Sequence, residues 1–290
     1  MIDLAILVPA VINGLTTGAV YALVALGLTL IYGVLHIINF AHGSLLMLAM
    51  YGVFFLNFLG VDPYLALPIL VPAFFALGYA LQRGIIGPAG HGRDENVLLV
   101  TLGLAIILDN GALYLWSATT RTIDVPYAFS VVDLGVALVA VPRLVALGGA
   151  LAMTGLLWVF VARTPTGKAI RAVAREPHGA RLVGIRVEHV FAVTFGIGTA
   201  CVAAAACLLL PTFYVTPQVG YTFVLIAFTT VVLGGMGSFA GALVGGLALG
   251  VIEALGGVFF GENLGEIGVF AVFILVLLFR PTGLFGARPA

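Results

Sequence analysis

The chain has 290 residues, of which 62% are hydrophobic and only 8% are charged, with a formal net charge of zero and a mean hydropathy of +1.22. A soluble globular domain carries about 25% charged residues, so this composition excludes a fold that covers its surface with polar groups. The balanced charge argues against a nucleic-acid partner. We therefore predict an all-α polytopic membrane protein with lipid around most of its exterior.

Apolar runs recur along the chain, and a spanning helix needs about 20 apolar residues. We predict eight or nine spans, near residues 7–33, 42–60, 64–82, 97–117, 143–162, 190–211, 220–235, 239–258 and 266–280. Gln82 to Glu95 is expected to be a short loop, and 118–142 a loop with a short surface element. The glycine-rich stretch 234–246 fits either a turn between two helices or a break within one.

Basic residues concentrate in one stretch, Arg163 to Glu188, which we call the basic segment. It holds six of the twelve Lys and Arg residues: Arg163, Lys168, Arg171, Arg175, Arg181 and Arg186. Because short cytoplasmic loops carry an excess of Lys and Arg, this segment is predicted to be cytoplasmic. The 82–95 loop, with Arg83 and Arg93, and the tail, with Arg280 and Arg288, follow the same rule. The number of intervening spans is consistent with that, and the N-terminus is expected outside.

The basic segment has the pattern of two short helices. Thr164 or Thr166 can cap the first helix, with Pro165 near its first position and Pro177 ending it. A second helix, near 178–183, would stop at Gly184 in a left-handed C-cap. One face of the first helix is apolar: Ala169, Ile170, Val173 and Ala174. The segment could be an amphipathic loop that only fixes topology. Alternatively, it could fit a groove of another protein, with the apolar ridge as the contact and the cations setting register.

A nucleotide site in this chain is not expected. The nearest match to a phosphate-binding loop is Gly167-Lys168, but Ala169 follows it and Ala162 stands where the first glycine is required. Any ATP used must then be bound by a separate subunit, and we expect no cofactor on this chain. Cys201 and Cys207 lie in an apolar run and are interpreted as small buried hydrophobes, without a metal or a disulfide.

Small residues at a spacing of four predict close helix packing, because they let two backbones touch. The stretch GGMGSFA at 234–240 formally matches a dinucleotide-binding string, but it lies between two strongly apolar runs. Helix packing is therefore the better interpretation. The residues concerned are Gly14, Gly18, Gly237, Gly241 and Gly245.

Two polar groups lie at membrane depth, where each needs a partner or a water-filled cavity. Asn39, His42, Gly43 and Ser44 cluster at a helix break, whose free N–H groups suit a carboxylate. The cluster could instead be an interfacial turn satisfied by water. Asp109 with Asn110 could either make a packing hydrogen bond or line a substrate pathway.

Several stretches together resemble the permease subunits of branched-chain amino acid ABC importers. The amino-terminal stretch, with INFAHG as its most specific word, is similar to the family's opening, and GGMGSFAGALVGGLALGVIEAL and RPTGLFG are similar to its closing stretch and tail. RAVAREPHGARLVGI is similar to the family's cytoplasmic coupling segment. The coupling residues thus identified are Arg171, Arg175, Glu176, Ala180, Gly184 and Ile185. Ser44, where the family often has an acidic residue, and the Arg175-Glu176-Pro177 turn depart from its usual pattern.

The resemblance implies a single permease domain over 1–290, of the ABC importer permease fold, with 163–188 as its coupling segment. It implies a bacterial inner-membrane assembly with a second permease, two ATPase subunits and an extracytoplasmic solute-binding protein, so that this chain is a transport subunit and not an enzyme. The expected substrates are branched-chain amino acids, with urea or a short-chain amide as the close alternative. A stand-alone secondary transporter would need a carboxylate in mid-membrane, for which Asp109 is the candidate. A structural scaffold would need no capped cytoplasmic segment.

Overall fold

The computed structural model describes residues 4–90, 94–133, 135, 138–261, 265–280 and 282–286. Arg93 and Arg288, two of the cations used for the orientation, lie outside these residues. Helices dominate the described chain, as the composition predicts. Their bounds are α1 Leu4–Leu35, α2 His42–Phe58, α3 Leu67–Leu81, α4 Gly87–Gly90, α5 Asp94–Trp116, α6 Val141–Arg163, α7 Pro165–Arg175, α8 Pro177–Leu182, α9 Val187–Leu209, α10 Val219–Gly234, α11 Phe239–Phe260 and α12 Gly265–Phe279.

Nine of these described elements are apolar enough to lie in a bilayer. Six are long enough to cross it, with α3 extended to Gly90, and three are shorter: α2, α10 and the described part of α12 from Ile267 to Phe279. The prediction of eight or nine spans is compatible with these six long and three shorter apolar helices. The predicted limits also fall within a few residues of the observed helices, since long apolar runs are read directly from composition.

One connection differs from the sequence-based expectation, and the structure specifies the form of two others. The expected loop after Gln82 is largely helical, because α3 continues through a π-helical turn, Gln82–Ile86, into α4. The surface element in 118–142 is an antiparallel hairpin of β1 Val131–Asp133 and β2 Leu138–Ala140, with Val132 opposite Val139. The glycine-rich stretch is a turn between α10 and α11, which resolves the alternative left open by the sequence.

Two helices form the centre of the bundle. In α1 and α9, 83% and 89% of the most apolar 18-residue stretch is buried, whereas the same stretch is only 22% buried in both α5 and α6. The peripheral helices therefore expose apolar side chains such as Leu99 and Trp158, which suit lipid or another membrane subunit.

Glycines hold α1 against α11. A Cβ added to Gly14 would lie 2.7 Å from the Gly250 carbonyl oxygen, and one added to Gly18 would lie 2.5 Å from that of Gly246. Gly241 packs equally closely on Gly234 of α10. At these glycines the helix backbones are in van der Waals contact, which small residues allow in membranes.

Gly237 corrects one part of the glycine pattern. It lies before α11, in the turn after α10, and has a φ of +84° that favours glycine. Its Cα approaches Gly33 near the end of α1, so it packs from a turn and is not a member of a helical seam with Gly241 and Gly245.

Two connections at one end of the bundle are fixed to each other by aromatic side chains. The Tyr127 hydroxyl donates to Asp62 Oδ2 at 2.7 Å, and its ring stacks on Tyr64 with centroids 5.3 Å apart. Burial and the negative charge of Asp62 raise the pKa of Tyr64 to about 12, so its hydroxyl stays protonated at physiological pH. This contact links the loop after α2 to the region before β1.

Candidate functional site

Helix α2 begins halfway along the bundle. His42, its first residue, is fully buried, and its Nε2 atom lies 2.9 Å from the carbonyl oxygen of Val24. Val24 is about 16 Å along α1 from Leu35, because an α-helix rises about 1.5 Å per residue. Residues 36–41 therefore return from the end of α1 to its middle before α2 starts. The predicted helix break is present, and it lies inside the protein.

Helix α10 begins at the same level. The rings of Tyr21, on α1, and Phe223, in the first turns of α10, pack edge to face with centroids 6.3 Å apart. A Cβ added to Gly43 would lie 2.1 Å from the carbonyl oxygen of Gly220. The first turns of α2 and α10 are thus in backbone contact. From this point α2 runs past Tyr51, which stacks on Trp116 at the end of α5. Helix α10 runs to Leu233, whose carbonyl oxygen accepts from the Leu284 N–H.

The starts of these two helices lack the usual side-chain caps. The N-cap residues are Ala41 for α2 and Gln218 for α10, and neither position provides a side-chain hydrogen bond to the first N–H groups of its helix. By contrast, Ser238 caps α11 by accepting from the Gly241 N–H at 3.1 Å. Uncapped N–H groups carry the positive end of the helix dipole, which attracts a carboxylate. The geometry therefore provides two such ends at one place.

Asp109 reaches both helix starts from α5. Its side chain interacts with the Ser44 side chain, in the first turn of α2, and with Tyr221, in the first turn of α10. Asp109 is only 7% exposed, and its Oδ1 atom is buried without a hydrogen-bond partner in the described part of the chain. A buried acceptor left unpaired costs about 1–3 kcal/mol, so the site favours a ligand or water that donates to it.

The returning segment contributes two more buried polar groups. Asn39 Oδ1 accepts from the Ala41 N–H at 3.1 Å, and the Phe40 N–H donates to Thr101 Oγ1 on α5 at 3.4 Å. The Asn39 Nδ2 and His42 Nδ1 atoms are buried, and neither has a partner among the described residues. Asn39, His42, Ser44 and Asp109 thus come together around the contact of Gly43 with Gly220.

Asn110 does not join this site. Its side chain is exposed and donates to the Ile106 carbonyl oxygen of its own helix at 2.8 Å. Its position next to Asp109 in sequence places it on another face of α5, since adjacent helical residues point about 100° apart. The pairing of these two residues suggested by sequence is therefore not a pairing in space.

Three residues of this region were missed from the sequence. Gly220 and Tyr221 carry no local signal, because only the fold places them against α2 and α5. Glu253 does carry a local signal, because it is a carboxylate in a strongly apolar run. It lines a cavity of about 160 Å³ together with Tyr221 and Thr222. Asp109 is therefore not the single carboxylate inside the described spans.

The basic segment forms two capped helices, as predicted. Thr164 caps α7, accepting from the Gly167 N–H through its hydroxyl at 3.0 Å, and Pro165 takes the first helical position. Glu176 ends α7 and caps α8 by accepting from the His178 N–H at 3.1 Å. Pro177 thus starts the second helix directly after ending the first, which makes the turn between them tight.

Gly184 ends α8 with the predicted left-handed cap. It has a φ of +87°, its N–H donates to the Arg181 carbonyl at 3.0 Å, and the Ile185 N–H donates to the Ala180 carbonyl at 3.0 Å. This pair of bonds is the Schellman motif. Ala180 and Ile185 pack beneath it in the apolar cluster that joins the helix pair to the spans.

The apolar ridge of α7 faces inward, which corrects the interpretation that it would contact a separate protein. Ile170 and Val173 are buried against Leu157 and Val161 of α6 and against residues of α1 and α9. Arg171 also bonds inward, to the Val161 carbonyl oxygen, although much of its side chain is exposed. The ridge therefore attaches the helix pair rigidly to three spans.

The outward surface of the pair is instead basic with an apolar tip. Arg175 and Glu176 are exposed at the turn between the helices. Leu182 and Val183, at the end of α8, are 78% and 76% exposed. Two large apolar side chains on a charged, exposed surface indicate a contact site, which was not predicted from the sequence.

The comparisons with known proteins agree with this architecture. A family model described as "Branched-chain amino acid transport system / permease component" matches residues 10–278. The chain belongs to this family. It is therefore a multi-pass protein of the cytoplasmic membrane, in agreement with its nine apolar described helices.

Named relatives span nearly the whole chain. The high-affinity branched-chain amino acid transport system permease protein BraD of Pseudomonas aeruginosa is 36% identical, over 96% of this chain and 95% of that protein. The corresponding LivH of Escherichia coli is 35% identical, over 96% of this chain and 94% of that protein. Among solved structures, PsaBC from Streptococcus pneumoniae in complex with Fab covers 93% of this chain and 91% of its own, with a TM-score of 0.51 and 16% identity, which shows a shared fold alone.

Proposed function

We propose that this chain is the permease subunit of an ABC importer that carries branched-chain amino acids into the cell. The observation that carries the proposal is the meeting of α2 and α10 in the middle of the bundle, next to Asp109. An amino acid is a zwitterion, so the site must offer a positive and a negative end. The two uncapped helix starts suit the substrate carboxylate, and Asp109 suits its ammonium group.

The proposed path runs along the exposed faces of α5 and α10. Leu102, Ile106 and Leu225 are each exposed on these helices, and Tyr221 between them is 53% exposed. A second permease packed against this face would enclose the path between two subunits, with apolar walls for an aliphatic side chain. The wall residues belong to the exposed faces of α5 and α10, which leaves the buried α1–α9 centre outside the path.

Energy would enter through the basic segment. Its inward ridge fixes it to α1, α6 and α9, so that a force on the exposed turn moves those spans as one body. Arg175, Glu176, Leu182 and Val183 form the surface offered to an ATPase subunit, because they are exposed on the same helix pair. ATP binding and hydrolysis would then take place on that separate subunit, and substrate would arrive from a solute-binding protein outside.

The proposal is tested by reconstituting the chain with its partner subunits and measuring uptake of radiolabelled leucine into vesicles. We expect uptake to require ATP and the binding protein, and to be inhibited by unlabelled isoleucine and valine but not by urea. Inhibition by urea with no effect of isoleucine would assign the chain to the amide-transporting alternative. Uptake that persists without ATP would contradict an ABC mechanism.

Replacing Asp109 with asparagine is expected to lower leucine uptake about 10- to 100-fold, because a hydrogen bond to a charged group contributes about 1.5–3 kcal/mol. The amide keeps the size of the side chain, so co-purification of the ATPase should be unchanged. Thr154→Val is the matched control, since the Thr154 hydroxyl donates to the Ala150 carbonyl oxygen within α6, a helix outside the proposed path. Equal loss of uptake in both variants would contradict a role of Asp109 in the path.

A further inference from the structure

A separate cavity of about 660 Å³ lies at the cytoplasmic end of the bundle. Its walls come from two places: the π-helical turn and α4 after α3, and the stretch from the end of α8 into the first turns of α9. The polar side chains that line it are Gln82, Arg83, Arg181, Arg186, Glu188 and His189. The proposed substrate path uses none of them, because α2, α5 and α10 are not part of these walls.

The cavity is strongly basic. Three of its charged lining residues are arginines and one is Glu188, which Arg181 binds at 2.5 Å. Arg83 and Arg186 make no ion pair within the described residues. Two guanidinium groups facing one cavity without a counter-ion favour an anionic ligand with several acceptor oxygens, of which phosphate is the usual example.

Side-chain contacts hold the charged residues of the cavity wall in place. The Arg83 Nη1 atom donates to the Tyr79 hydroxyl at 3.1 Å, and that hydroxyl lies 3.1 Å from His189 Nδ1. This chain of contacts fixes Arg83 of the π turn to α9. A π-helical turn inside an α-helix is frequently found at functional sites, and here it brings Gln82 and Arg83 to the cavity.

Gln82 is the second, independent sign of a ligand. Its side chain is 5% exposed, it lines the cavity, and its Oε1 atom is buried without a hydrogen-bond partner in the described part of the chain. A buried amide oxygen needs a donor. A phosphate ester that also carries hydroxyl groups would supply acceptors to the arginines and a donor to Gln82.

The surroundings favour a lipid as the source of that group. The cavity begins where the α3 span ends, and only 28% of the apolar window of that span is buried by the chain itself. Ile85, in the π turn, is 48% exposed, and Phe191 provides an apolar part of the lining. A lipid whose acyl chains lie along α3 would therefore place its headgroup at the cavity mouth. Basic pockets between helices on the cytoplasmic side suit anionic headgroups.

We propose that this cavity binds the phosphoglycerol headgroup of an anionic membrane lipid. The phosphate is held between Arg83 and Arg186, and a glycerol hydroxyl donates to Gln82 Oε1. Because Arg181 at the end of α8 lines the same cavity, the bound lipid also contacts the helix pair that carries the coupling surface. This assigns a structural lipid to the cytoplasmic leaflet at the junction of α3, α8 and α9.

The test is native mass spectrometry of the intact transporter, extracted from vesicles of phosphatidylcholine with one tenth phosphatidylglycerol. We expect the wild type to retain phosphatidylglycerol, and Arg83→Gln to retain it at least about fivefold more weakly. Arg163→Gln is the matched control, because Arg163 is an exposed cytoplasmic arginine that does not line the cavity. Gln82→Leu removes no charge and should also lower retention, which diffuse attraction of anionic lipid to a basic surface would not produce.

Three results would overturn the proposal. One is equal retention in wild type, Arg83→Gln and Arg163→Gln. Another is displacement of the lipid by millimolar glycerol phosphate, which would assign the cavity to a soluble phosphate ester. The last is a cross-link from a Pro88→Cys variant into an ATPase subunit, which would show that a protein side chain fills the cavity. Size-exclusion profiles of each variant show whether the complex remains assembled.

Discussion

Replacing Gly43 with valine is expected to reduce amino acid uptake to less than about one tenth of the wild-type rate. The new Cβ would lie 2.1 Å from the Gly220 carbonyl oxygen and 2.8 Å from Val224 Cβ, so the first turns of α2 and α10 must move apart. Overpacking a buried contact costs about 1–3 kcal/mol even where side chains can adjust, and here a backbone oxygen is in the way. The separation displaces Ser44 and Tyr221 from Asp109, so the two helix starts and the carboxylate no longer lie together in the proposed site.

The measurement is leucine uptake by the reconstituted complex, together with the amount of permease in the membrane. Gly155→Val is the matched control: it adds the same side chain to a spanning helix, α6, where nothing lies within 4 Å of the new Cβ. It should insert and transport like the wild type. Normal uptake by Gly43→Val would mean that the contact of α2 with α10 does not form part of the path.

Features controlled by nearby residues were predictable from the sequence. Each apolar run became a helix, because a backbone in lipid must satisfy its hydrogen bonds within the segment. Thr164, Pro177 and Gly184 set the limits of α7 and α8 as their capping preferences indicate. The break before His42 was likewise indicated by a run of polar residues with a glycine.

Features controlled by the packing of distant segments were not predictable. A polar run shows that a helix breaks but not how deep the break lies, and only the contact of His42 with Val24 places it inside the bundle. Tyr221 meets Asp109 across more than one hundred residues of chain. Neither residue's sequence neighbourhood carries information about that contact.

The direction of an amphipathic face is ambiguous for the same reason. The pattern of α7 showed that one side is apolar, and the structure shows that this side covers its own spans. A short helix at a membrane surface can bury such a face against its own spans or against another protein, and the sequence does not distinguish the two. The consequence is that the contact surface moves to the tip at Leu182 and Val183.

Replacing Gly184 with valine is expected to uncouple transport from ATP hydrolysis. At a φ of +87°, a residue other than glycine costs about 1–2 kcal/mol, and a β-branched one costs more. A helix of six residues, such as α8, has little stability apart from its caps and packing. The bonds from Gly184 and Ile185 back to Arg181 and Ala180 would therefore be lost, and the exposed tip would lose its defined position.

Asparagine at the same position separates backbone strain from contact chemistry. Nothing lies within 4 Å of a Cβ added to Gly184, so a clash with this chain is not the cause of any defect. Asparagine adopts left-handed conformations readily, and Gly184→Asn should therefore retain most uptake while Gly184→Val loses about ninety per cent or more. ATPase co-purification and leucine uptake are measured on both. If both fail equally, the ATPase requires empty space at this point; if only valine fails, the Schellman cap holds the coupling surface in place.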